Sequence, residues 1–254
     1  MQKFKPGYLQ YLLRRKVIVS FLFSLGIINP LFAQLREGLN LPNHDDKPYY
    51  FGIVLGYNTS HYSISHSPYF LQQDSIQTVE SPNSGRIHLG IVANLQLSKR
   101  WDLRFYPLNL IFSQKKFDYT LKYPDPEDGH MTKSQKVESI VMSWPLQIRL
   151  KSDRIGNFRA YTLAGIKFDY DLASNAGATN AENLLKVKKT DFGYELGVGF
   201  QFFYQYFILS PEIKISNGLG NVLVKDPTLK YANVIDNLNS RMIMFSLHFE
   251  GGGL

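Results

Sequence analysis

The sequence of this 254-residue chain predicts an all-β fold, namely an eight-stranded antiparallel transmembrane β-barrel with short turns at one end and longer loops at the other. Three observations predict it. Apolar and polar side chains alternate with period two over long segments, short and long connections follow one another in turn, and aromatic residues make up 14% of the chain. Strict alternation is the pattern of a strand with one apolar and one polar face.

The composition excludes several classes of protein. At 44% hydrophobic residues the chain is not intrinsically disordered. Without cysteine it has neither disulfides, nor thiolate metal ligands, nor a cysteine nucleophile. The net charge of +7 does not indicate nucleic-acid binding, because five basic residues fall in the first 16 positions and the remainder has 23 basic and 21 acidic residues.

Residues 1–33 have the parts of a secretory signal peptide. A basic stretch precedes an apolar run of twelve residues from Val17 to Ile28, and Ala33 supplies a small residue for cleavage. Twelve residues span about 18 Å as a helix, less than the roughly 30 Å of hydrocarbon in a bilayer. We therefore expect a cleaved signal, with an uncleaved anchor as the alternative. A periplasmic segment over 34–48 and a barrel over 49–254 follow.

Eight segments alternate strictly enough to predict strands. A strand that crosses a bilayer at a tilt needs about 9–11 residues, whereas strands of soluble proteins usually have about 5–6. The predicted strands have the membrane length or more, and they are Tyr49–Ile64, Arg86–Ser98, Trp101–Leu121, Ser134–Leu150, Phe158–Ala173, Lys188–Phe202, Tyr206–Asn217 and Ser240–Glu250.

The connections between these strands alternate in length. Those over 65–85, 122–133, 174–187 and 218–239 are long, and those over 99–100, 151–157 and 203–205 are short. All short connections therefore lie at one end of the sheet. This is the organisation of an outer-membrane barrel with periplasmic turns, extracellular loops and both termini in the periplasm.

The polar face of these strands is expected to line the lumen. Hydrocarbon does not accept the charges of Arg86, Asp191 or Glu195, so the apolar face must turn towards lipid. Eight strands enclose an interior that side chains can fill, so a wide channel is not expected. The competing interpretation is a soluble lipocalin-like barrel with its aromatic face inward.

Aromatic residues and prolines have predicted places in this barrel. Aromatic residues near the short turns are expected to form a girdle at the membrane interface, and the alternative is that they are ordinary strand residues. They are Tyr49, Tyr50, Trp101, Tyr106, Tyr204 and Tyr206. Pro107, Pro145 and Pro211 fall inside predicted strands. Because proline cannot donate to a ladder, each predicts a bulge or a strand end.

The sequence offers few candidates for catalysis or metal binding. The six histidines have no metal-ligand spacing, and the acidic loop around Asp125 and Asp128 lacks the spacing of an EF-hand. Ser246 and His248 share a strand face, as a lipid hydrolase would need, but no acidic partner can be assigned. We therefore expect no enzyme, no cofactor, no metal and no small-molecule substrate.

The polar face predicts a closed salt-bridge network inside the barrel, because a narrow, poorly hydrated interior penalises an unpaired charge. Glu195 and Glu212 are expected to pair with Arg104, Arg149 or Arg159. The full set with lumen parity is Arg104, Arg149, Arg159, Lys167, Asp169, Asp171, Asp191, Glu195, Glu212 and Lys214.

Glycines on the same face are expected to make room for this network. Gly193, Gly197 and Gly199 recur on the polar side of one predicted strand. They follow no strand-to-helix junction and so form no phosphate cradle. We expect them to accommodate long side chains from opposite strands.

Several segments together resemble the PorT (SprT) family, an outer-membrane barrel of type IX secretion and gliding in Bacteroidetes. The resemblance extends in order along the chain predicted to remain after signal cleavage. The segments that carry it are Asn40–Pro48, Phe51–Asn58, Leu103–Pro107, Trp144–Leu146, Asn157–Tyr161, Lys167–Leu172, Gly193–Phe200 and Ser210–Lys214. It implies an accessory or assembly component of type IX secretion, required for export of cargo proteins and for gliding motility.

The resemblance carries over no catalytic residue. It implies outer-membrane lipid and other type IX components as partners. A filled barrel would act by docking, through its loops, its lipid face or the N-terminal segment. The competing functions are a small passive channel or a generic envelope barrel, and a lipid-modifying enzyme.

Overall fold

The computed structural model describes residues 38–72, 75–124, 129–174, 185–225 and 233–251. The predicted signal peptide and the acidic loop at 125–128 lie outside the described residues. The chain divides into two units, Met1–Leu39 and Asn40–Leu254. Of the first unit only Gly38 and Leu39 are described, and neither belongs to a helix or strand.

The second unit is an antiparallel barrel. Within the described residues its strands are β1 (Tyr49–His66), β2 (Ile76–Glu80), β3 (Ser84–Gln96), β4 (Trp101–Leu121), β5 (Thr132–Lys151), β6 (Phe158–Asp171), β7 (Thr190–Phe203), β8 (Phe207–Gly218) and β9 (Ile235–Gly251). Eight of them close into a ring in the order β1-β3-β4-β5-β6-β7-β8-β9, and β9 pairs with β1. The predicted eight-stranded antiparallel barrel is confirmed.

The connections differ at the two ends of this ring. The short connections after β3, β5 and β7 define what we call the short-turn end, where β1 also begins and β9 ends. The opposite end, which carries the long connections, is the long-loop end. The first long connection holds a short helix, α1 (Pro68–Gln72), and the strand β2.

Strand β2 is a ninth strand that the periodicity did not predict. It adds to the long-loop end of β4, where Val79 pairs with Tyr119. Five residues are too few for a reliable period-two pattern. Burial stabilises β2, because Ile76 and Val79 are 4% and 5% exposed within an apolar cluster.

The apolar faces of the strands turn outward and the charged faces turn into the lumen, as predicted. On β7, Phe192, Leu196 and Val198 are 49%, 45% and 54% exposed on the outside, while Glu195 is fully buried inside. The same alternation recurs in the burial patterns of the other long strands, apart from a reversal in β4, but Arg86, expected on the lumen face, is exposed near the long-loop end of β3. The lipocalin-like interpretation is therefore wrong, since it needs the aromatic face inward.

Pro107 lies at a bulge, as predicted. Between Phe105 and Leu108, β4 has one residue more than β3 has between Ala93 and Ile91. The extra residue reverses the alternation, so that even-numbered side chains face inward up to Tyr106 and odd-numbered ones from Asn109 onward. A single inserted residue has this effect because the side-chain period of a strand is two.

For Pro145 the predicted bulge is present in the ladder with β4, whose register shifts between Phe105 and Leu110, whereas for Pro211 the prediction of a bulge or strand end was wrong. Both lie inside continuous strands, and the register with one neighbour stays regular, Pro145 with Lys167 and Pro211 with Leu247. The ladder is interrupted only on the other side, opposite the β4 bulge for Pro145 and between Gly199 and Phe202 for Pro211. Pro145 therefore lies opposite the extra residue of β4, while Pro211 needs one local gap in pairing and no change of register.

The predicted aromatic girdle is also only partly correct. Tyr49, Trp101 and Tyr206 are exposed on the outside, and so is Tyr204. Tyr50 and Tyr106 are instead 0% and 1% exposed, because their parity points them into the lumen. There each phenol hydroxyl finds a hydrogen-bond partner, Asp102 for Tyr50 and His248 for Tyr106.

The interior is apolar at the long-loop end. A cluster of buried side chains fills it where the strands continue beyond the charged middle, and its members are Tyr62, Ile76, Val79, Phe117, Tyr119, Leu121, Val137, Leu185, Val187, Val222, Leu223, Val234, Ile235 and Leu238. Within the described part of the chain, no helix is long and apolar enough to cross a membrane.

Candidate functional site: the filled lumen

Arg104 of β4 is the centre of the charged interior. Its Nη1 donates to Glu212 Oε2 at 2.7 Å and its Nη2 to Glu250 Oε1 at 2.5 Å. Its Nε donates to Asn94 Oδ1 at 2.8 Å. The side chains of Arg104, Glu212 and Glu250 are fully buried. The three acceptors of the guanidinium belong to three different strands, β3, β8 and β9.

Arg149 of β5 extends this group towards the short-turn end. Its Nη2 donates to Asp102 Oδ2 at 2.6 Å and also to the hydroxyl of Tyr50, and its Nη1 reaches Glu250 Oε1 at 3.3 Å. Lys151 Nζ lies 2.7 Å from the other oxygen of Asp102. Glu250 thus bridges the two arginines.

We call these six residues the ion-pair hub: Arg104, Arg149, Lys151, Asp102, Glu212 and Glu250. It contains three cations and three carboxylates and is therefore neutral as a unit. Neutrality matters because the cost of removing ions from water is offset only when each charge has an opposite partner in good geometry.

Two further ion pairs lie nearer the long-loop end. Glu195 Oε2 is 3.3 Å from Lys214 Nζ and accepts a hydrogen bond from Gln147 at 2.5 Å. Lys167 Nζ is 2.5 Å from Asp169 Oδ2. Direct contacts among the described residues therefore form separate neutral groups rather than the one closed network expected.

The structure brings together most of the predicted charges but changes several partners. Glu212 binds Arg104, whereas Glu195 binds Lys214 and no guanidinium within the described residues. Arg159 binds Asp45 of the N-terminal segment at 2.7 Å. The expected pairing of Glu212 with an arginine is therefore confirmed, and that of Glu195 was wrong, because partner choice depends on the stagger between strands, which parity does not contain.

Two residues of the predicted charge network, Asp191 and Asp171, lie at the edge of the charged interior. Asp191 accepts hydrogen bonds from the backbone N–H groups of Phe192 and Gly220, at 2.9 and 3.3 Å. Asp171 accepts one from Ser139 Oγ at 2.6 Å and one from the backbone N–H of Ala173. In the described residues these contacts are with neutral groups, so neither carboxylate joins the ion pairs.

Three members of the hub were missed by sequence reasoning: Asp102, Lys151 and Glu250. The signal was present, because Asp102 stands two residues from Arg104 and Lys151 two residues from Arg149, on the same faces. Each of the three residues lies at or next to the end of a predicted strand, and a charged residue in such a position is easily interpreted as exposed to solvent. Only ring closure shows that these ends are covered.

The short-turn end is covered by the N-terminal segment 40–47, which we call the strap. It contains a 3-10 helix over Pro42–Asp46 and places His44 inside the barrel mouth, 3% exposed. The imidazole of His44 makes edge contacts with the rings of Tyr50 and Phe203, at centroid distances of 4.6 and 5.8 Å. The strap thereby excludes solvent from the hub.

Polar contacts fasten the strap on both sides of His44. Arg154 donates to the backbone oxygens of Asn40 and Leu41 and lies 3.7 Å from the centre of the Phe203 ring. At the other end Gln96 Nε2 donates to the backbone oxygen of Asp45. Together with the pair between Asp45 and Arg159, these bonds join the strap to three different strands or turns of the rim.

Ser246 pairs with a different histidine from the one expected. Its Oγ is 2.9 Å from His88 Nε2, while His248 contacts the hydroxyl of Tyr106 and the carbonyl of Ser210. Ser246 and His88 lie on either side of Gly56, where a Cβ would come within 2.3 Å of the imidazole. All these groups are buried in the lumen.

The lumen glycines serve neighbouring strands rather than opposite ones, which corrects the expectation. A Cβ on Gly199 would meet the phenol ring of Tyr161 at 2.5 Å, and Tyr161 is its direct pairing partner on β6. Gly193 likewise stands beside Lys167, and Gly197 beside Lys214 of β8. A long side chain crosses the strand next to it before it reaches the middle of the lumen.

Within the described residues, no group of three or more histidine, aspartate and glutamate side chains is placed to hold a metal ion.

Buried Lys115 illustrates how the remaining interior is used. Its Nζ lies 2.8 Å from Ser240 Oγ and 4.3 Å from the centre of the Tyr62 ring. These contacts fill space and stabilise the buried ammonium group.

Comparison with known proteins agrees with the fold. Residues 32–224 match the family model described as outer membrane protein beta-barrel domain. No curated protein matches the sequence.

Solved barrels resemble the chain at low identity. OprG of Pseudomonas aeruginosa is 11% identical, with 81% of this chain and 96% of that chain covered and a TM-score of 0.45. The corresponding values for Neisserial surface protein A are 11%, 80%, 97% and 0.41. For Ail of Yersinia pestis they are 9%, 80%, 99% and 0.35.

Glu250→Gln should destabilise the barrel strongly, because it leaves Arg104 and Arg149 sharing too few carboxylates in a buried site. Breaking a buried ion pair from one side costs about 3–5 kcal/mol. Urea unfolding of the protein in detergent, followed by tryptophan fluorescence, measures the change.

The matched control for this measurement is Asp153→Asn. It breaks the pair between Arg100 and Asp153, whose side chains are 63% and 76% exposed. An exposed pair contributes roughly 0–1 kcal/mol. Equal losses in the two variants would contradict the central place of the hub.

The strap should loosen in acid. Burial lowers the pKa of His44 from 6.5 to about 4, although the nearby Glu250 and Asp45 carboxylates act in the opposite direction, while Lys151 and Arg159 add to the lowering. Neutral His44 therefore stabilises the docked strap above pH 6.5, and this stabilisation is lost as the pH falls towards 4. Burial raises the pKa of Asp45, but the hydrogen bond and the charge of Arg159 outweigh burial, so the net shift of this pKa is downward.

A nitroxide attached at Asn43→Cys, the sole thiol in the chain, reports the strap's motion. We expect an immobile spectrum at pH 7.5 and a growing mobile fraction between pH 6.5 and 4. His44→Phe keeps the ring contacts without the charge and should remove this pH dependence. Identical spectra at pH 7.5 and 4.5 in the parent would refute the titration of His44 as the cause.

Proposed function

The chain belongs to the outer membrane protein beta-barrel domain family, and from that premise we propose that it is a sealed, non-enzymatic barrel that acts through its surfaces. Its location is the outer membrane. The orientation with both termini in the periplasm is part of the proposal. It follows the usual arrangement in which short turns face the periplasm, since β1 begins and β9 ends beside those turns.

The observation that carries the proposal is the filled lumen. Three layers occupy it in sequence, namely the strap, the charged interior and the apolar cluster at the long-loop end. Arg104, Arg149 and Glu250 are fully buried in the middle layer. An eight-stranded barrel has an interior that side chains just fill, so solute passage would require breaking buried ion pairs.

The finer proposal is an accessory or assembly role in type IX protein secretion, with gliding motility as a dependent activity. Its support is the resemblance of the ordered segments to the PorT family. A closed barrel supports docking rather than conduction, with another barrel as the path of the cargo. The family match is equally compatible with a generic envelope barrel, which is the alternative.

The geometry favours neither a passive channel nor a lipid-modifying enzyme. A passive channel needs a continuous water path, which the hub and the strap interrupt. A lipid-modifying enzyme needs a serine that lipid can reach, whereas Ser246 is fully buried and bonded to His88. We therefore keep the non-enzymatic interpretation.

A sealed lumen predicts negligible conductance for the protein in a planar bilayer. Deletion of the strap, residues 40–47, tests which layer is responsible. We expect the deletion to leave conductance low at neutral pH, because the hub and the apolar cluster remain. Discrete, open-pore steps in the parent protein would support the passive channel and contradict the proposal.

Deletion of the gene tests the type IX role directly. We expect cargo with a type IX signal to accumulate inside the cell and gliding to stop, while general outer-membrane integrity is retained. Complementation with an Asp236→Asn variant should restore both, because its exposed pair with Lys225 contributes little to folding. Normal secretion and motility in the deletion strain would leave the generic envelope barrel as the better account.

A further inference from the structure

A groove of about 640 Å³ opens on the outer face of the barrel at the short-turn end. Its floor is the outward face of β6 at Ala160 and Thr162, and its walls are Leu150 of β5 with Val198 and Phe200 of β7. The register explains the shape. Thr162 pairs with Leu150 on one side and Val198 on the other, so two small residues lie between rows of larger ones.

The exposed charges that line the groove are one positive and one negative; Lys151 also lines it, but its buried Nζ lies 2.7 Å from Asp102 Oδ1. Arg100 and Asp153 come from neighbouring short turns and form a two-bond pair, with Nη2–Oδ2 at 2.8 Å and Nε–Oδ1 at 3.1 Å. Their side chains are 63% and 76% exposed, so both charges remain accessible to a ligand. This exposed pair is neutral overall but strongly dipolar.

Thr162 adds a hydroxyl deeper in the groove. It is the residue on the outward face of β6 where the apolar sequence from Ala160 to Phe168 is interrupted by a polar group. Within the described residues its hydroxyl has no hydrogen-bond partner. A hydroxyl turned towards hydrocarbon is costly unless it finds an acceptor.

We propose that this groove binds one zwitterionic phospholipid with a primary-amine head group. The charged, polar and apolar residues follow one another along the groove in the same order as the head group, ester and acyl chain of the lipid. Arg100 faces the phosphate, Asp153 the ammonium group, Thr162 donates to an ester carbonyl, and one acyl chain lies against Leu150 and Val198. The volume falls within the roughly 300–1,000 Å³ of small-molecule sites.

The charges of the rim select this class of lipid. An anionic phospholipid would be attracted by Arg100 but repelled by Asp153, whereas a zwitterion satisfies both at once. The inference rests on the proposed orientation, which places the short turns in the periplasmic leaflet, where phospholipids are found. A second copy of the chain fits less well, because a two-fold interface would set groove against groove and leave both empty.

The test uses the full chain purified in detergent, with retained lipid counted by native mass spectrometry. The probes are palmitoyl-oleoyl phosphatidylethanolamine and palmitoyl-oleoyl phosphatidylglycerol, added singly after delipidation. We expect one tightly retained phosphatidylethanolamine and about tenfold weaker retention of phosphatidylglycerol, as a charge-assisted hydrogen bond is lost.

Two kinds of variant locate the site. Ala160→Leu fills the groove and should reduce retention about tenfold, whereas the matched control Ala93→Leu makes the same change on the outward face of β3 and should not. Asp153→Lys should reverse the preference in favour of phosphatidylglycerol. Asp236→Lys is the matched control, because Asp236 forms an exposed pair with Lys225 at the long-loop end. This variant should leave the lipid preference unchanged.

Thr162→Val keeps the shape and removes only the hydroxyl, so it tests the ester contact even if larger changes disturb folding. Unchanged retention in both Ala160→Leu and Thr162→Val would overturn the proposal. So would equal retention of the two lipids by the parent, or a dimer that Ala160→Leu abolishes. Because the assay requires neither a closed lumen nor secretion, a conducting barrel would contradict the proposed function alone.

Discussion

The structure depends on the pairing of buried charges inside a closed cylinder. Arg104 and Arg149 are joined through Glu250, and the six charges of the hub sum to zero. A lone ion there would lose its hydration with no compensation, whereas a neutral group with good geometry offsets that loss. Because the partners come from β4, β5, β8 and β9, the ion pairs form only when the ring is closed in one register.

The remainder of the interior accommodates that hub. Glycines stand beside the longest side chains, as Gly199 does beside Tyr161, and the bulge at Pro107 reverses the faces of β4 above the charged layer. After the reversal β4 contributes Phe117 and Tyr119 to the apolar cluster. One inserted residue thus lets a single long strand supply charge to one layer and rings to another.

A barrel sealed in this way has three accessible surfaces. They are the strap with the short turns at one end, the long loops at the other end, and the outward apolar face of the strands. The strap and the groove both lie at the short-turn end, where Arg154 fastens the strap and Asp153 of the same turn borders the groove. The proposed docking and the proposed lipid binding therefore use neighbouring parts of one rim.

The sequence by itself determined the barrel, its faces and most of the buried charges. Alternation along one strand is a local property, and a charge such as Glu195 must point away from lipid in any closed arrangement. Only the tertiary structure decided which charges pair. Arg159 binds Asp45 because of the path of the strap, and Glu195 binds Lys214 because of the stagger between strands. The same holds for Tyr50 and Glu250, whose positions near strand ends become interior only once the strap covers the mouth. Strand β2 depends on burial by distant segments, which no local pattern contains.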